Sequence, residues 1–132
     1  MEIEGPTDLL EWFASVSPEI ESIEKMLAVE LTNEIMFLQS HLAHLAVMQG
    51  SLSRLLADAT SLLEYAEQQQ LIEKKEDQTD LDRRKIMQAA TRNERRVVNI
   101  LEGFSKALRN KMITTMSLKK VLAGEVVSQY DG

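Results

Sequence analysis

The sequence predicts an all-α protein, and three observations lead to that fold class. The residue types that dominate the 132-residue chain (Leu, Ala, Met, Glu, Lys, Arg and Gln) are good helix formers, while Gly and Pro are scarce. Runs of β-branched residues, which favour strands, are missing. Apolar residues recur in alternating steps of three and four along two long stretches, as they do in coiled coils. We therefore expect a long helical hairpin with coiled-coil-like heptad seams and short N-terminal and C-terminal helices, in a single domain over residues 1–132.

The first element is predicted as a short helix at residues 7–16, TDLLEWFASV. Thr7 or Asp8 can cap its N-terminus, and its large apolar residues give it faces that can pack. We expect this helix to pack onto the main body rather than to form a site. Ser17 then caps the next helix, and Pro18 suits the first helical position, where a missing N–H has no intrahelical partner to lose.

The second element is predicted as one very long helix over residues 18–77. Its apolar seam advances in steps of four and three over five heptads. Gly50 is the one weak point, and a break there would instead give two shorter antiparallel helices. The seam comprises Leu31, Ile35, Leu38, Leu42, Leu45, Gln49, Leu52, Leu56, Ala59, Leu63 and Ala66.

A polar stretch, QQQLIEKKEDQTD, is predicted to turn the chain into a second long helix over residues 80–115. Thr79 or Asp80 is the expected cap of this helix. Ser117 is predicted to cap a last short helix at 117–124, which its glycine ends. The second seam comprises Ala90, Glu94, Val97, Leu101, Phe104, Leu108, Met112 and Thr115.

The net charge of −6 is divided unevenly along the chain. Residues 1–80 carry sixteen acidic and four basic side chains, a net charge of −12. Residues 81–132 carry five acidic and eleven basic side chains, a net charge of +6. Such asymmetry indicates an interaction surface, although the two halves could also pair with each other, within one subunit or between subunits.

The cations of the second long helix gather into a stripe away from its apolar seam when the residues are placed on a helical wheel. Cations along one face repel one another unless an anionic group neutralises them. Phosphate is one candidate, the acidic half of a neighbouring subunit is another, and a solvated helix face is the third interpretation. The stripe includes Arg84, Lys85, Arg92, Arg95, Arg96, Lys106 and Arg109.

The sequence contains no convincing catalytic or metal-binding constellation. His41 and His44 lie three residues apart, but without the Glu-x-x-His pairing that metal-binding bundles use. There is no glycine-rich phosphate loop, no Ser-His-Asp set and no Cys, and the lack of Cys fits a reducing compartment. The acidic N-terminus and the lack of an apolar run of ~20 residues argue against a signal peptide and a membrane span. We therefore expect a cytoplasmic protein that is not an enzyme and uses no metal, cofactor or membrane.

Three stretches of the chain resemble the UvsY-type recombination mediators of tailed bacteriophages: ELTNEIMFLQSHL, SLLEYA and NILEGFSKALRNKMITTMSLKKVLAGE. The order of parts is also similar, with an acidic N-terminus, a long helix, a polar turn, a basic-edged second helix and a short helical tail. The resemblance spans about two-thirds of the chain. The chain departs from the family in its few aromatic residues and its strongly acidic first half.

The resemblance implies a homo-oligomeric, non-enzymatic protein that binds single-stranded DNA in the cytoplasm of a host cell. It further implies interactions with a RecA-like recombinase and a single-strand binding protein. The protein would help to load the recombinase onto DNA in place of the single-strand binding protein. The stripe itself makes Arg84 and Arg92 candidate contacts to nucleic acid. By position, the resemblance implies DNA contacts from Arg95, Arg96, Lys106, Arg109, Lys111, Lys119 and Lys120.

Two other classes of function fit the same sequence. A structural, adaptor or scaffolding protein, for example in phage assembly, would use the stripe to meet acidic protein. A small helical inhibitor would bind one protein partner and would not self-associate. Self-association is predicted here, because apolar residues that lie off both seams favour burial against another copy. These residues are Leu55, Leu62, Val98, Ile100 and Ile113.

Overall fold

The computed structural model describes residues 7–72 and 79–131. Of these residues, 93 % are helical and none lies in a strand, which confirms the all-α prediction. No helix in the described ranges is long and apolar enough to cross a membrane. The helices are α1 (Thr7–Ala28), α2 (Ile35–Ile72), α3 (Asp80–Ala90) and α4 (Arg92–Asp131).

The chain forms two compact units. Unit 1 comprises residues 1–18 and 54–102, and unit 2 comprises residues 19–53 and 103–132. In unit 2 the Gln49 side-chain amide of α2 donates a 3.1 Å hydrogen bond to the Ser105 hydroxyl of α4. Earlier in α2 and later in α4, Leu42 and Met116 line one groove, so the two helices run antiparallel there. This is the packing of the predicted helical hairpin, whereas coiled-coil packing of the seams and the single domain stay predictions.

Helix α1 is longer than the predicted helix 7–16 and runs through Pro18 without a break. The prediction that a new helix starts at Pro18 is therefore wrong. Proline removes one backbone hydrogen bond, but burial of an apolar stripe that continues on both sides of it offsets that loss. The stripe consists of the buried residues Leu9, Phe13 and Val16 in unit 1, and Ile20 and Ile23 in unit 2.

The predicted helix 18–77 is also wrong, because the helical path is interrupted at residues 29–34 rather than at Gly50. In this VELTNE segment the Glu34 N–H donates to the Thr32 hydroxyl at 3.4 Å. The Glu34 carbonyl accepts the first backbone bond of α2, from the Leu38 N–H at 3.0 Å. Hydroxyl and amide side chains offer the backbone such local partners, and so favour helix ends over helix interiors.

The second half of the chain begins its helix where predicted, but departs from the prediction at two later points. Thr79 caps α3 as expected, since its hydroxyl accepts from the Asp82 N–H at 3.1 Å. The predicted helix 80–115 is divided at Thr91, while the predicted short helix 117–124 is simply the continuation of α4. Its residues are mostly good helix formers, so Ser117 does not interrupt the helix.

Thr91 bends the helical path without ending its hydrogen bonding. Its backbone, with φ −107° and ψ 17°, lies outside the helical region. The Thr91 N–H nevertheless donates to the Met87 carbonyl at 2.9 Å, and the Arg95 N–H donates to the Thr91 carbonyl at 3.0 Å. The spacing of four residues is helical on both sides, so α3 and α4 meet at a bend rather than at a loop.

Burial along α2 and α4 follows the predicted seams with one shift of phase. On α2, Leu55 is fully buried, whereas the predicted seam residue Leu56 is half-buried. At this turn the buried face therefore lies one residue before the predicted seam. Leu55 and Val98, predicted to lie off the seams, belong to the core of unit 1, whereas Ile113 is 56 % exposed. Less apolar surface is therefore left for self-association than the sequence predicts. The buried seam residues are Leu38, Leu45, Leu52 and Ala59 on α2, and Glu94, Val97, Leu101, Leu108 and Thr115 on α4.

Candidate nucleic-acid interface

Three arginines at the start of α4 form what we call the arginine cluster: Arg92, Arg95 and Arg96. They line an open concavity of about 540 Å³ in unit 1, together with the amide side chains of Gln88 and Asn99. The helical spacing of three and four residues puts the three guanidinium groups on one side of the chain. Arg92 and Arg96 are exposed and Arg95 is half-buried, so the structure brings together three of the nine predicted site residues here.

Arg95 is held in place by Thr91, which is not among the predicted site residues. The Arg95 Nε and Nη2 atoms donate to the Thr91 Oγ1 at 3.1 Å and 2.7 Å. Thr91 is fully buried, and its hydroxyl donates in turn to the Met87 carbonyl at 2.7 Å. A guanidinium carries five N–H donors, so Arg95 keeps three of them for an external acceptor.

The arginine cluster has no carboxylate partner among the residues that the structure describes. Arg83 on α3, in contrast, pairs with Asp80 at 3.8 Å. Arg92 and Arg96 lie four residues apart on one helix, where like charges repel and destabilise the helix by a few tenths of a kcal/mol (~0.2–0.5). The cluster is therefore a surface whose charge an external anion would balance. Arg84 is exposed on α3 and does not line the concavity.

A second group of predicted cations lies in unit 2. Lys119 and Lys120 line a shallow groove of about 230 Å³, whose other walls are Leu42, Met116 and Ala123. The predicted contacts Lys106 and Arg109 are exposed on α4 and do not line this groove.

Lys111, predicted to contact DNA, is engaged by the protein itself. Its ammonium donates to the carbonyl oxygens of Met26 at 3.1 Å, of Leu27 at 2.8 Å and of Val29. The Met26 and Leu27 carbonyls lie in the last turn of α1, where backbone acceptors lack partners within the helix, and Val29 directly follows its end. Burial lowers the pKa of Lys111 from its ordinary value. Since an ammonium has three donors, Lys111 has none left for phosphate, and its observed role is that of a helix cap.

The histidine pair of α2 lies in unit 2. His41 is 3 % exposed, and its ring stacks on Phe37 with 5.5 Å between the ring centroids. Burial, followed by the positive charges of Lys111 and His44, lowers the pKa of His41 from 6.5. His44 is exposed. No group of three or more potential metal-ligating side chains occurs within the described part of the chain.

The part of the chain that the structure describes is a helical protein that exposes several cations along α4, and none of the arginine cluster has a carboxylate partner among the described residues. No family model matches the chain. No curated protein and no solved structure matches it either. The resemblance to UvsY-type mediators therefore stays a prediction.

Proposed function

We propose that the protein is a non-enzymatic accessory protein that binds single-stranded DNA through the arginine cluster. The observation that carries this proposal is the grouping of Arg92, Arg95 and Arg96 around one concavity without a carboxylate partner among the described residues. Guanidinium groups fit phosphate oxygens with paired, charge-assisted hydrogen bonds. The flanking amides of Gln88 and Asn99 supply neutral donors to the same backbone.

Binding of this kind recognises the phosphate backbone rather than the base sequence. The exposed cations of unit 2, Lys106, Arg109 and Lys120, supply further phosphate contacts. By resemblance, the accessory role is to help load a RecA-like recombinase onto DNA in place of a single-strand binding protein. This activity belongs to the cytoplasm, and to that of the host cell if the protein is phage-encoded.

The active form that we propose is a homo-oligomer. In unit 2, α4 exposes Ile113 (56 %), Met116 (48 %) and Val121 (57 %), which fall on one side of the helix by their spacing. Burial of apolar surface contributes about 25 cal/mol per Å², so a second copy covering this face would gain stability. Light scattering at micromolar concentration tests the point. A monomeric mass contradicts it, and Met116→Lys should lower the mass of an oligomer that uses this face.

A salt titration tests DNA binding. Labelled single-stranded DNA should lose affinity about tenfold or more across a fourfold rise in salt if three phosphates are contacted. Arg92→Gln with Arg96→Gln should weaken binding for every base sequence alike, and should reduce the slope of log affinity against log salt by about 0.7 per lost contact. Arg95 is left unchanged in this variant, because its bonds to Thr91 also support the bend between α3 and α4.

The matched control for a single arginine change is Lys25→Gln, which removes one exposed cation of α1. We expect Arg96→Gln to weaken binding several-fold more than Lys25→Gln, although both change the net charge equally. Equal effects would mean that the arginine cluster contributes only to the general charge of the protein, and an unaltered salt slope in the double variant would refute the site.

The charge asymmetry favours one alternative, an adaptor or scaffolding protein without a role on DNA. Residues 1–80 carry a net charge of −12, so the acidic half of a neighbouring subunit could meet the arginine cluster. In that case the double arginine variant should dissociate the oligomer at salt concentrations that the unaltered protein tolerates, and DNA binding should be weak from the start. Light scattering across a salt series separates this outcome from the first.

A further inference from the structure

Unit 1 contains a second concavity, of about 360 Å³. It shares no lining residue with the concavity of the arginine cluster. All four helices contribute to it, from the start of α1 to the first turn of α4. Its walls include the apolar residues Leu9, Leu62, Ala66 and Ala90, and Tyr65, which is 57 % exposed. Cavities of this size with mostly apolar walls and a few polar groups are typical of small-molecule sites.

One polar group in this lining is Glu94, a carboxylate that is 97 % buried, since 3 % of the residue is exposed. Its Oε2 atom has no hydrogen-bond partner among the described residues. A buried carboxylate oxygen without a donor costs on the order of 1–3 kcal/mol or more. Such a group calls for a specific explanation.

Helix capping does not explain Glu94. Residues 91–94 spell Thr-Arg-Asn-Glu, the spacing of a capping box, in which the glutamate bonds back to the N–H of the first residue. In the structure the Thr91 N–H instead donates to the Met87 carbonyl, and the Thr91 hydroxyl is occupied by Arg95 and Met87. The bend at Thr91 therefore leaves the Glu94 carboxylate free of this local role.

We propose that this concavity binds an alkylammonium group, with Glu94 as its counter-ion. An ammonium supplies the donors that the Glu94 oxygen lacks, and a short alkyl stem matches the apolar walls. The ring of Tyr65 can attract the same cation through its π face, and Asp8, which also lines the cavity, adds a second negative charge. A phosphate, in contrast, would be repelled by both carboxylates, so this site is independent of the proposed DNA-binding function.

The ammonium could belong to a free amine or to a lysine side chain of another protein. Both share the same recognised chemistry, and the choice of probe separates them. The n-butylammonium ion reproduces the lysine side chain, and n-butanol is its neutral analogue of similar size. A short capped peptide, acetyl-Gly-Lys-Gly-amide, adds the backbone that a protein source would bring.

Titration of the ¹⁵N-labelled, full-length protein with these probes, followed by NMR without nucleic acid, tests the proposal. We expect saturable shifts at the amides of Ala66 and Glu94 with n-butylammonium, at a Kd on the order of millimolar for so small a ligand. The neutral n-butanol should bind at least about tenfold more weakly, because it forms no charge-assisted bond. If the peptide binds more tightly than n-butylammonium, the ammonium comes from a lysine side chain of a protein. Equal affinities of the two probes indicate a free amine. No saturation with either cation overturns the proposal.

Glu94→Gln keeps the shape of the side chain and removes its charge, and should weaken n-butylammonium binding at least about tenfold. Its thermal midpoint should stay equal or rise, since the change relieves a buried and unpartnered charge. Glu102→Gln, an exposed acid on the same helix, is the control and should leave the affinity unaltered. Unchanged binding in Glu94→Gln overturns the role of that residue and with it the proposal.

A second variant keeps the test decisive if Glu94→Gln alters the fold. Ala66→Leu adds three carbons to a half-buried wall of the cavity, and should abolish amine binding by filling the space while helix content is kept. Binding that survives in a folded Ala66→Leu protein places the amine elsewhere and overturns the site.

Discussion

Lys111 of α4 donates a hydrogen bond of 2.8 Å to the carbonyl oxygen of Leu27, although 84 positions separate the two residues. The same ammonium also bonds the carbonyls of Met26 and Val29, so one side chain closes the C-terminus of α1 within unit 2. A cation at this end of a helix also complements its dipole. The interruption at residues 29–34 thus depends on a residue far along the chain.

Lys111→Met should destabilise the fold by about 1–3 kcal/mol, because it leaves the final carbonyls of α1 without a charged donor. Urea unfolding followed by circular dichroism measures the change. Lys106→Met, which removes an exposed cation of the same helix, is the control and should cost about 0.5 kcal/mol or less. Equal losses in the two variants would contradict the capping role.

His41 should make stability depend on pH. Burial and the nearby charges lower its pKa in the folded protein below the ordinary 6.5. The unfolded chain then binds the proton more readily, so the free energy of unfolding is retained above the ordinary pKa and falls as pH drops below it. Chemical denaturation at about pH 7 and about pH 5 should report this loss.

In His41→Leu the difference in stability between the two pH values should shrink, since the titrating group is gone. His44→Gln, which changes the exposed histidine of the same helix, should keep most of the difference. A pH dependence that is unaltered in His41→Leu would assign it to other groups.

Gly50→Ala should stabilise the protein by about 0.5–1 kcal/mol. Gly50 lies inside α2, and an added methyl group there would have no neighbouring atom within 4 Å. Alanine therefore gains helix propensity without a clash. Thermal unfolding measures the effect, and a lower midpoint would indicate that the helix is interrupted at Gly50 after all.

Leu101→Ala should cost about 2–5 kcal/mol, because Leu101 is 1 % exposed in the core of unit 1. Ile113→Ala is the matched control, since Ile113 is 56 % exposed and its truncation leaves no buried cavity. Both variants can be compared by urea unfolding of a monomeric preparation. If both variants lose a similar small amount of unfolding free energy, α4 buries a different face from the one that contains Leu101.

The sequence predicted helices well and their interruptions poorly. Residue types and heptad spacing are local properties, so the all-α fold and most buried positions of α2 and α4 could be read directly. Pro18 is a start signal by local rules, but α1 continues through it because apolar residues are buried on either side. The interruption at residues 29–34 depends on Lys111, and no local pattern contains an interaction over that separation.

The candidate interface was predicted in part. Helical geometry placed Arg92 and Arg96 away from the seam, and both are exposed. It could not find the bonds from Arg95 to Thr91, which require the exact backbone of the bend. Glu94 had a signal in the sequence, since a carboxylate at a seam position predicts a buried charge, but its surroundings come from four helices.

Helix α3 has no buried residue. Its detachment would expose little apolar surface, so the free energy of this local opening should be far below that of global unfolding. In hydrogen–deuterium exchange its amides should therefore lose protection early, while those around Leu101 stay protected. Helix α3 carries Arg84. An anion that bridges α3 to the first turn of α4 should slow the hydrogen–deuterium exchange of α3, so this exchange would report on anion binding.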